Sequence, residues 1–383
     1  MMSAPFDRLT ALPDLTGVTG RTIRSVFPRP ALIQLEGRRP DPVFIAVMQH
    51  GDETVGLDVL KRLQAWMGTH PLPRSLWVFV GNVEAAEAGK RRLSPETDFN
   101  RLWAGGTTPL HAMAGEIKAE LAAAKPFAAI DFHNNTGANP HYSLVHGLGP
   151  EDRHLASLFS PNAILTLTPP AMMSLAMRPL CPSVTAECGQ AKDPKGGEAG
   201  FDFLMAVLHL DHWHSEEDRE LRLYEITGRV EVDAEAGIGF EAGTEPDLEL
   251  PANLEKWNFF LRPDGSTFAR LPRGGRPLRV IDEQDRDLTG RFLSFEGDRV
   301  ILKRDVTPVM LTTSVAAIRD DCLCYFMEAP DARSLRRRAL SHATSMPANT
   351  ANTIAPGPRN SQSPAPARRA VSAKSRTTIM MSV

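Results

Sequence analysis

The chain has 383 residues, 42% of them hydrophobic, which is enough for a real core in two domains or one large one. Its formal charge of −3 combines an acidic body with a basic tail. From residue 331 onward nine Lys and Arg face one acid, but no aromatic residue accompanies them, which argues against a nucleic-acid surface. No apolar run approaches the roughly 20 residues that span a bilayer, the start lacks a basic and then apolar signal, and four cysteines without a C-x-x-C give neither a disulfide framework nor a thiolate zinc site. The expectation is a cytoplasmic protein with reduced thiols.

In chain order, residues 22–27 read as an edge strand and 31–35 as a second strand. Residues 43–48 form a run of β-branched and aliphatic residues, the profile of a buried strand, and it ends in the polar cluster of V-F-I-A-V-M-Q-H-G-D-E-T-V-G. A helix follows over 54–67, with Val55, Val59, Leu60, Leu63 and Trp66 at helical spacings, and then a strand over 76–80. This is a β-α-β crossover, which predicts a parallel sheet. Residues 81–101 make a polar connection. A helix over 110–125 leads to a strand over 126–132 that delivers His133 at its end, and short strands are expected at 142–145, 163–168 and 183–187. A helix over 200–211 closes a first domain, 1–220. The texture then changes to short alternating segments at 224–232, 258–260, 278–281, 290–295, 299–302, 309–311 and 322–328, a smaller β-rich domain over 221–330. Residues 331–383 are basic and low in complexity and read as a disordered tail.

His50 and Glu53, spaced H-x-x-E, can offer an imidazole and a carboxylate from one turn, half of a His2Glu zinc site. With 11 His and 46 acids in the chain, an acid three places after some His is expected roughly once by chance, so the pair alone proves little. His133 emerges in the same way from its own strand, and ligands of open α/β sheets gather at such carboxyl ends.

Taken together and in order, M-Q-H-G-D-E-T-V-G, G-N-V-E-A-A-E-A-G-K-R-R, D-F-N-R, D-F-H-N-N-T and T-A-E-C-G resemble the succinylglutamate desuccinylase and aspartoacylase family of the zinc carboxypeptidase superfamily. The resemblance spans roughly residues 40 to 330. It implies a zinc-carboxypeptidase-like α/β fold, with a mixed, largely parallel sheet flanked by helices and a smaller, mostly β C-terminal domain. It also implies one Zn2+ per chain, held by His50, Glu53 and His133 with water in the fourth position, and Glu187 as general acid/base. Asn100 and Arg101 match residues that grip a substrate carboxylate and polarise the reacting carbonyl. Arg92 resembles the upstream arginine of that motif, although its gap to Asn100 is one residue longer than the family pattern and Arg91 is an alternative. Arg178 is near the spacing of a further substrate arginine.

Two positions depart from the family. Asp52 stands where Asn is usual and adds a negative charge beside the site, and Asn135 replaces a common Thr. Asp131, two before His133, is placed to orient an imidazole. His141 and His146 read as ordinary surface or core histidines, with a role in the pocket as the alternative, and His209, Asp211, His212 and His214 as a helix end rather than a second metal site. The expected activity is hydrolysis of an N-acyl amino acid or similar small amide bearing a carboxylate. The alternatives are a zinc carboxypeptidase acting on peptides and a non-catalytic zinc-fold binding protein. No nucleic-acid or membrane partner is expected, and a homo-oligomer is left open.

Overall fold

The computed structural model describes residues 6–95, 97–191, 193–213, 221–240 and 245–330; the tail and His214 lie outside the described residues. Among the described residues seventeen strands are formed. The first nine are β1 (Asp7–Leu9), β2 (Ala31–Leu35), β3 (Arg39–Val47), β4 (Arg74–Val80), β5 (Ala128–Asn135), β6 (Tyr142–Val145), β7 (Asn162–Leu165), β8 (Ser183–Gln190) and β9 (Arg222–Val232). The remainder are β10 (Ile238–Gly239), β11 (Leu248–Glu249), β12 (Thr267–Arg270), β13 (Leu278–Ile281), β14 (Leu293–Glu296), β15 (Arg299–Leu302), β16 (Thr307–Val309) and β17 (Cys324–Glu328).

The large sheet has twelve strands in the order β1-β2-β4-β3-β5-β8-β6-β7-β9-β17-β16, with β13 beside β9. Its centre, β4-β3-β5-β8, is parallel. Helices α1 (Val55–Met67) and α6 (Pro194–His209) cover one face. There Val43, Ile45 and Val47 of β3 meet Val59, Leu63, Phe203 and Val207. Helices α3 (Pro109–Ala124) and α5 (Met173–Met177) cover the other, where Phe44 and Ala46 meet Met113, Ile117 and Met177. Burial on both faces explains why β3 reads as an unbroken apolar run instead of an alternating one.

Beyond residue 221 the strands divide. β9, β13, β16 and β17 extend the large sheet, while β10, β11, β12, β15 and β14 form a separate five-stranded sheet with its own core around Phe268, Phe292 and Phe326.

Two sequence expectations are corrected. Residues 22–27 are no strand: Gly20–Ser25 is a 3₁₀ helix. Its apolar residues fall three and four apart, so Ile23, Val26 and Phe27 pack on one core instead of alternating between faces. Residues 258–260 are not a strand either. Asn258 is buried, and its amide accepts from the Leu311 N–H (2.8 Å) and donates to the carbonyls of Leu311 (3.0 Å) and Ala138 (3.2 Å). Helices α2 (Val83–Ala88) and α4 (Pro150–Phe159) are additional, one inside the polar connection and one before β7.

The Asn258 amide ties the loop after β5 to the segment after β16. Gly137 reinforces the tie, since a Cβ there would lie 1.9 Å from the Leu311 carbonyl oxygen. Replacing Asn258 by Ala strands buried backbone groups on both sides, at a cost of about 1–3 kcal/mol each. Urea unfolding of Asn258→Ala is expected to show a loss of at least about 2 kcal/mol; an unchanged midpoint would refute this role.

Candidate functional site

The site is built at the carboxyl ends of β3, β5 and β8. At the end of β3, Met48 takes the left-handed conformation (φ 57°), uncommon for a residue other than glycine. Its side chain packs on the same core as that of Val47, which breaks the strand alternation. The following Gln49 and His50 are buried polar residues. A tight turn joins the Glu53 N–H to the His50 carbonyl (3.2 Å), and within it Gly51 packs so closely on α2 that a Cβ would come 2.2 Å from the Ala86 nitrogen. Helix α1 starts directly after this turn, and the Asn134 side chain, from the end of β5, accepts the Val55 N–H (2.9 Å).

Glu53 is the meeting point. Its Oε1 lies 2.8 Å from His50 Nδ1 and its Oε2 2.7 Å from His133 Nδ1, while Arg91 and the Asn134 N–H donate to the two oxygens at 2.7 and 3.1 Å. The two imidazoles stand edge to face with centroids 4.9 Å apart. One ligand atom from each of His50, Glu53 and His133 lies within 4.8 Å of the others, and this is the one such His/Cys/Asp/Glu group among the described residues. The far ring nitrogens are anchored too. His50 Nε2 is 3.1 Å from Asp98, and His133 Nε2 is 2.9 Å from Asp131. Two nitrogens and a carboxylate, with both Nε2 atoms held by carboxylates so that both Nδ1 atoms point inward, form a donor set that fits a zinc ion.

Electrostatics tie the group together. Burial alone would raise the Glu53 carboxyl, but the charges of His50 and His133 outweigh it and hold it well below the usual range. Burial would depress His133, yet the Asp131 and Glu53 carboxylates raise it well above an ordinary histidine. Asp98 follows the pattern of Glu53, lowered against its own burial by His50, Arg101 and Arg91.

Glu187 lies directly across from His133 in the parallel pairing of β5 with β8. Its side chain is buried, and burial, assisted by the Glu53 and Asp131 charges, pushes its carboxyl up to about 7. Asn135 Nδ2 donates to Glu187 (2.8 Å), while Asn135 Oδ1 accepts from the Tyr142 hydroxyl (3.0 Å). The departure at position 135 therefore bears on Glu187.

A cleft of about 1480 Å³ opens onto these residues. Asp52, Lys90, Arg91, Arg92, Asn100 and Arg101 line it, together with Ile226, Arg229, Arg286 and Tyr325 from the later strands and loops. Arg91, not Arg92, reaches Glu53: the Gly51 N–H donates to the Arg91 carbonyl (3.0 Å) and brings that residue against the turn, whereas Arg92 turns to Asp320 (3.3 Å). Asn100 is buried with its Oδ1 occupied by the Met173 N–H (2.8 Å), and Arg101 donates to the Asn100 carbonyl (2.9 Å).

Arg178 does not line the cleft. Its guanidinium faces Asp152 on α4 (3.3 Å). His141 stacks on Phe159, His146 is buried between the Thr166 carbonyl and the Ser174 hydroxyl, and His209 bonds to the Met205 carbonyl at the end of α6. Sequence reasoning passed over Asp98, Asn134 and Gln49. Asp98 stood in the quoted D-F-N-R, and the usable signal was that each imidazole needs a second partner.

Residues 42–199 match the family profile described as the succinylglutamate desuccinylase/aspartoacylase catalytic domain. Over that span the chain is similar to the family's catalytic domain. A search of curated proteins by sequence returns no match. Among solved structures, the chain is similar to the succinylglutamate desuccinylase from Chromobacterium violaceum, with 17% identity and a TM-score of 0.51, covering 77% of this chain and 86% of that one. It is also similar to the succinylglutamate desuccinylase/aspartoacylase from Rhodobacter sphaeroides, with 15% identity and a TM-score of 0.52, covering 78% and 88%. At these identities the likeness shows the fold. The family is one of hydrolases, and no described helix is long and apolar enough to cross a membrane.

The coupling at Glu53 can be read directly. In metal-free protein, Glu53→Gln removes the anion that helps keep His133 protonated, so the His133 titration, followed by NMR of the ring, is expected to move to lower pH. A titration that stays in place or rises would contradict the pairing.

Proposed function

We propose that this protein is a zinc-dependent amidohydrolase that removes the acyl group from an N-acyl amino acid or a similar small amide. The observation that carries this reading is the convergence of His50, Glu53 and His133 on one buried point, with Glu187 on the adjacent strand, inside a hydrolase family's catalytic domain. These three residues would hold the ion. When bound there, zinc lowers the pKa of a water toward about 7 and polarises the scissile carbonyl.

The remaining work falls to the chain. Glu187, a buried carboxyl with its pKa pushed up to about 7, can take a proton near neutrality and hand it to the departing amine. Asn135, oriented by Tyr142, holds the carboxylate by its Oε2. With its Oδ1 occupied and its Nδ2 3.2 Å from His133 Nε2, Asn100 has only an amide N–H to offer a substrate, so it would meet a carbonyl or carboxylate oxygen. Arg101 and Arg91 supply planar cations suited to bidentate capture of a carboxylate. Arg92 and Arg178, tied to Asp320 and Asp152, have weaker claims to that role. Asp52 adds an anion to the same wall and would disfavour a second carboxylate on the substrate near it.

The cleft volume favours one further reading, a metallocarboxypeptidase acting on peptides. About 1480 Å³ exceeds the roughly 300–1,000 Å³ common for small-ligand sites and would admit a short peptide. A panel of N-acyl amino acids and peptides separates the two. Release of free amine from the former is expected, and release of C-terminal residues from peptides alone would sink the deacylase reading.

Two predictions probe Glu187. Glu187→Gln should lower kcat about 10²–10⁴-fold while zinc content is kept; unchanged turnover would refute the assignment. Because the carboxylate form accepts the proton, kcat/KM should rise with pH through the pKa of Glu187. A bound cation lowers that pKa, so the acid limb should lie at or below about 7 and disappear in Glu187→Gln.

A further inference from the structure

Behind His133 runs a buried hydrogen-bond chain that the proposed reaction does not use directly. The Trp103 indole N–H donates to Gln49 Oε1 (2.7 Å), and the Gln49 Nε2 donates to Asp131 Oδ2 (2.6 Å). The same oxygen lies 2.9 Å from His133 Nε2, which also has the Asn100 Nδ2 3.2 Å away, and His133 Nδ1 faces Glu53 (2.7 Å). Trp103, Gln49, Asp131 and His133 are all at most 4% exposed. The indole is fixed in turn by edge contacts with the rings of Phe44 and Phe79.

Donor and acceptor chemistry gives this chain a direction. An indole nitrogen only donates, so it can meet only the oxygen end of the Gln49 amide, which turns the amide nitrogen toward Asp131. Asp131 then accepts from the amide on the oxygen that also faces the imidazole, while its Oδ1 is buried without a hydrogen-bond partner. A buried carboxylate with one oxygen unmet depends on the donors that reach the other. With Asp131 committed to accepting, the proton of a metal-bound His133 sits on Nε2, and Nδ1 presents its lone pair to the site.

We infer that Trp103 and Gln49 are positioning residues that set, through Asp131, the orientation and tautomer in which His133 binds the metal. This rests on the zinc reading of His50, Glu53 and His133. Gln49 sits in the motif M-Q-H-G-D-E-T-V-G with no role of its own in the proposed reaction, and Trp103 lies outside every motif quoted above, so the chain gives both residues a task.

The test is a double-mutant cycle on zinc affinity, read by chelator competition on the full chain, with thermal melting of the metal-free variants as a control on folding. Gln49→Met keeps side-chain length and removes both hydrogen bonds. Trp103→Phe keeps an aromatic ring and removes only the indole donor. Gln49→Met is expected to weaken zinc binding about 10–100-fold and Trp103→Phe by less, and adding Trp103→Phe to Gln49→Met should cost nothing further, because the link it cuts is already gone. In zinc-loaded wild type a slowly exchanging His133 ring N–H should be visible by NMR and should be lost in Gln49→Met. Wild-type affinity in Gln49→Met, or a Trp103→Phe penalty that is undiminished in the double variant, overturns the inference and leaves the zinc site standing. If Gln49→Met does not fold, wild-type affinity with an intact ring N–H in Trp103→Phe overturns it. A wild type that binds no zinc removes the site itself, and the inference with it.

Discussion

The structure turns on one buried carboxylate. Glu53 brings its two oxygens against His50, His133, Arg91 and the backbone N–H of Asn134. An ionised carboxylate out of water is costly unless every lone pair is met, so each partner must arrive at a fixed place. That requirement sets the local architecture. β3 must end where the turn of His50 and Glu53 begins, β5 must end alongside it to deliver His133 and Asn134, and the polar connection after β4 must fold back so that Arg91 reaches Glu53. Gly51 permits this last approach, having no Cβ to strike α2.

Around this centre the chemistry divides by side. The Nδ1 atoms of both histidines face inward, and their Nε2 atoms are held by Asp98 and Asp131. Glu187 occupies the next strand, where burial raises its carboxyl, while Glu53 is driven in the opposite direction by the two imidazoles. Two carboxyl groups a strand apart are thus pushed toward different protonation states, which separates a carboxylate held ionised from a group able to exchange a proton near neutrality. The strands after residue 221 close the other side of the cleft, and Asn258 and Gly137 tie that half to the loop that follows β5.

Much of this was legible in the sequence because strand ends announce themselves. The aliphatic run before His50, the apolar strand before His133 and the one that carries Glu187 each mark a strand whose carboxyl end opens on the sheet's edge, and the parallel order follows from the β-α-β spacing. What was hidden depends on contacts between distant segments. That Arg91 and not Arg92 lies against Glu53 goes with a backbone hydrogen bond from Gly51, which no local pattern encodes. Asp98 and Asn134 look like ordinary loop and strand-end polar residues until the fold puts them against an imidazole and a helix N-terminus. Residues 22–27 and 258–260 read as strands because short apolar segments do not reveal their period; Ile23, Val26 and Phe27 settle as a helical face, and Asn258 is captured by the backbone of Leu311.

The central claim, that His50, Glu53 and His133 hold a zinc ion on which amide hydrolysis depends, is tested most directly by measuring metal content and amide turnover on the same samples. The protein purified without chelator should carry one zinc per chain, lose zinc and turnover together on chelation, and regain both when zinc is returned, while His133→Ala should regain neither. Turnover that survives complete removal of the metal, or full zinc occupancy in His133→Ala, would contradict it.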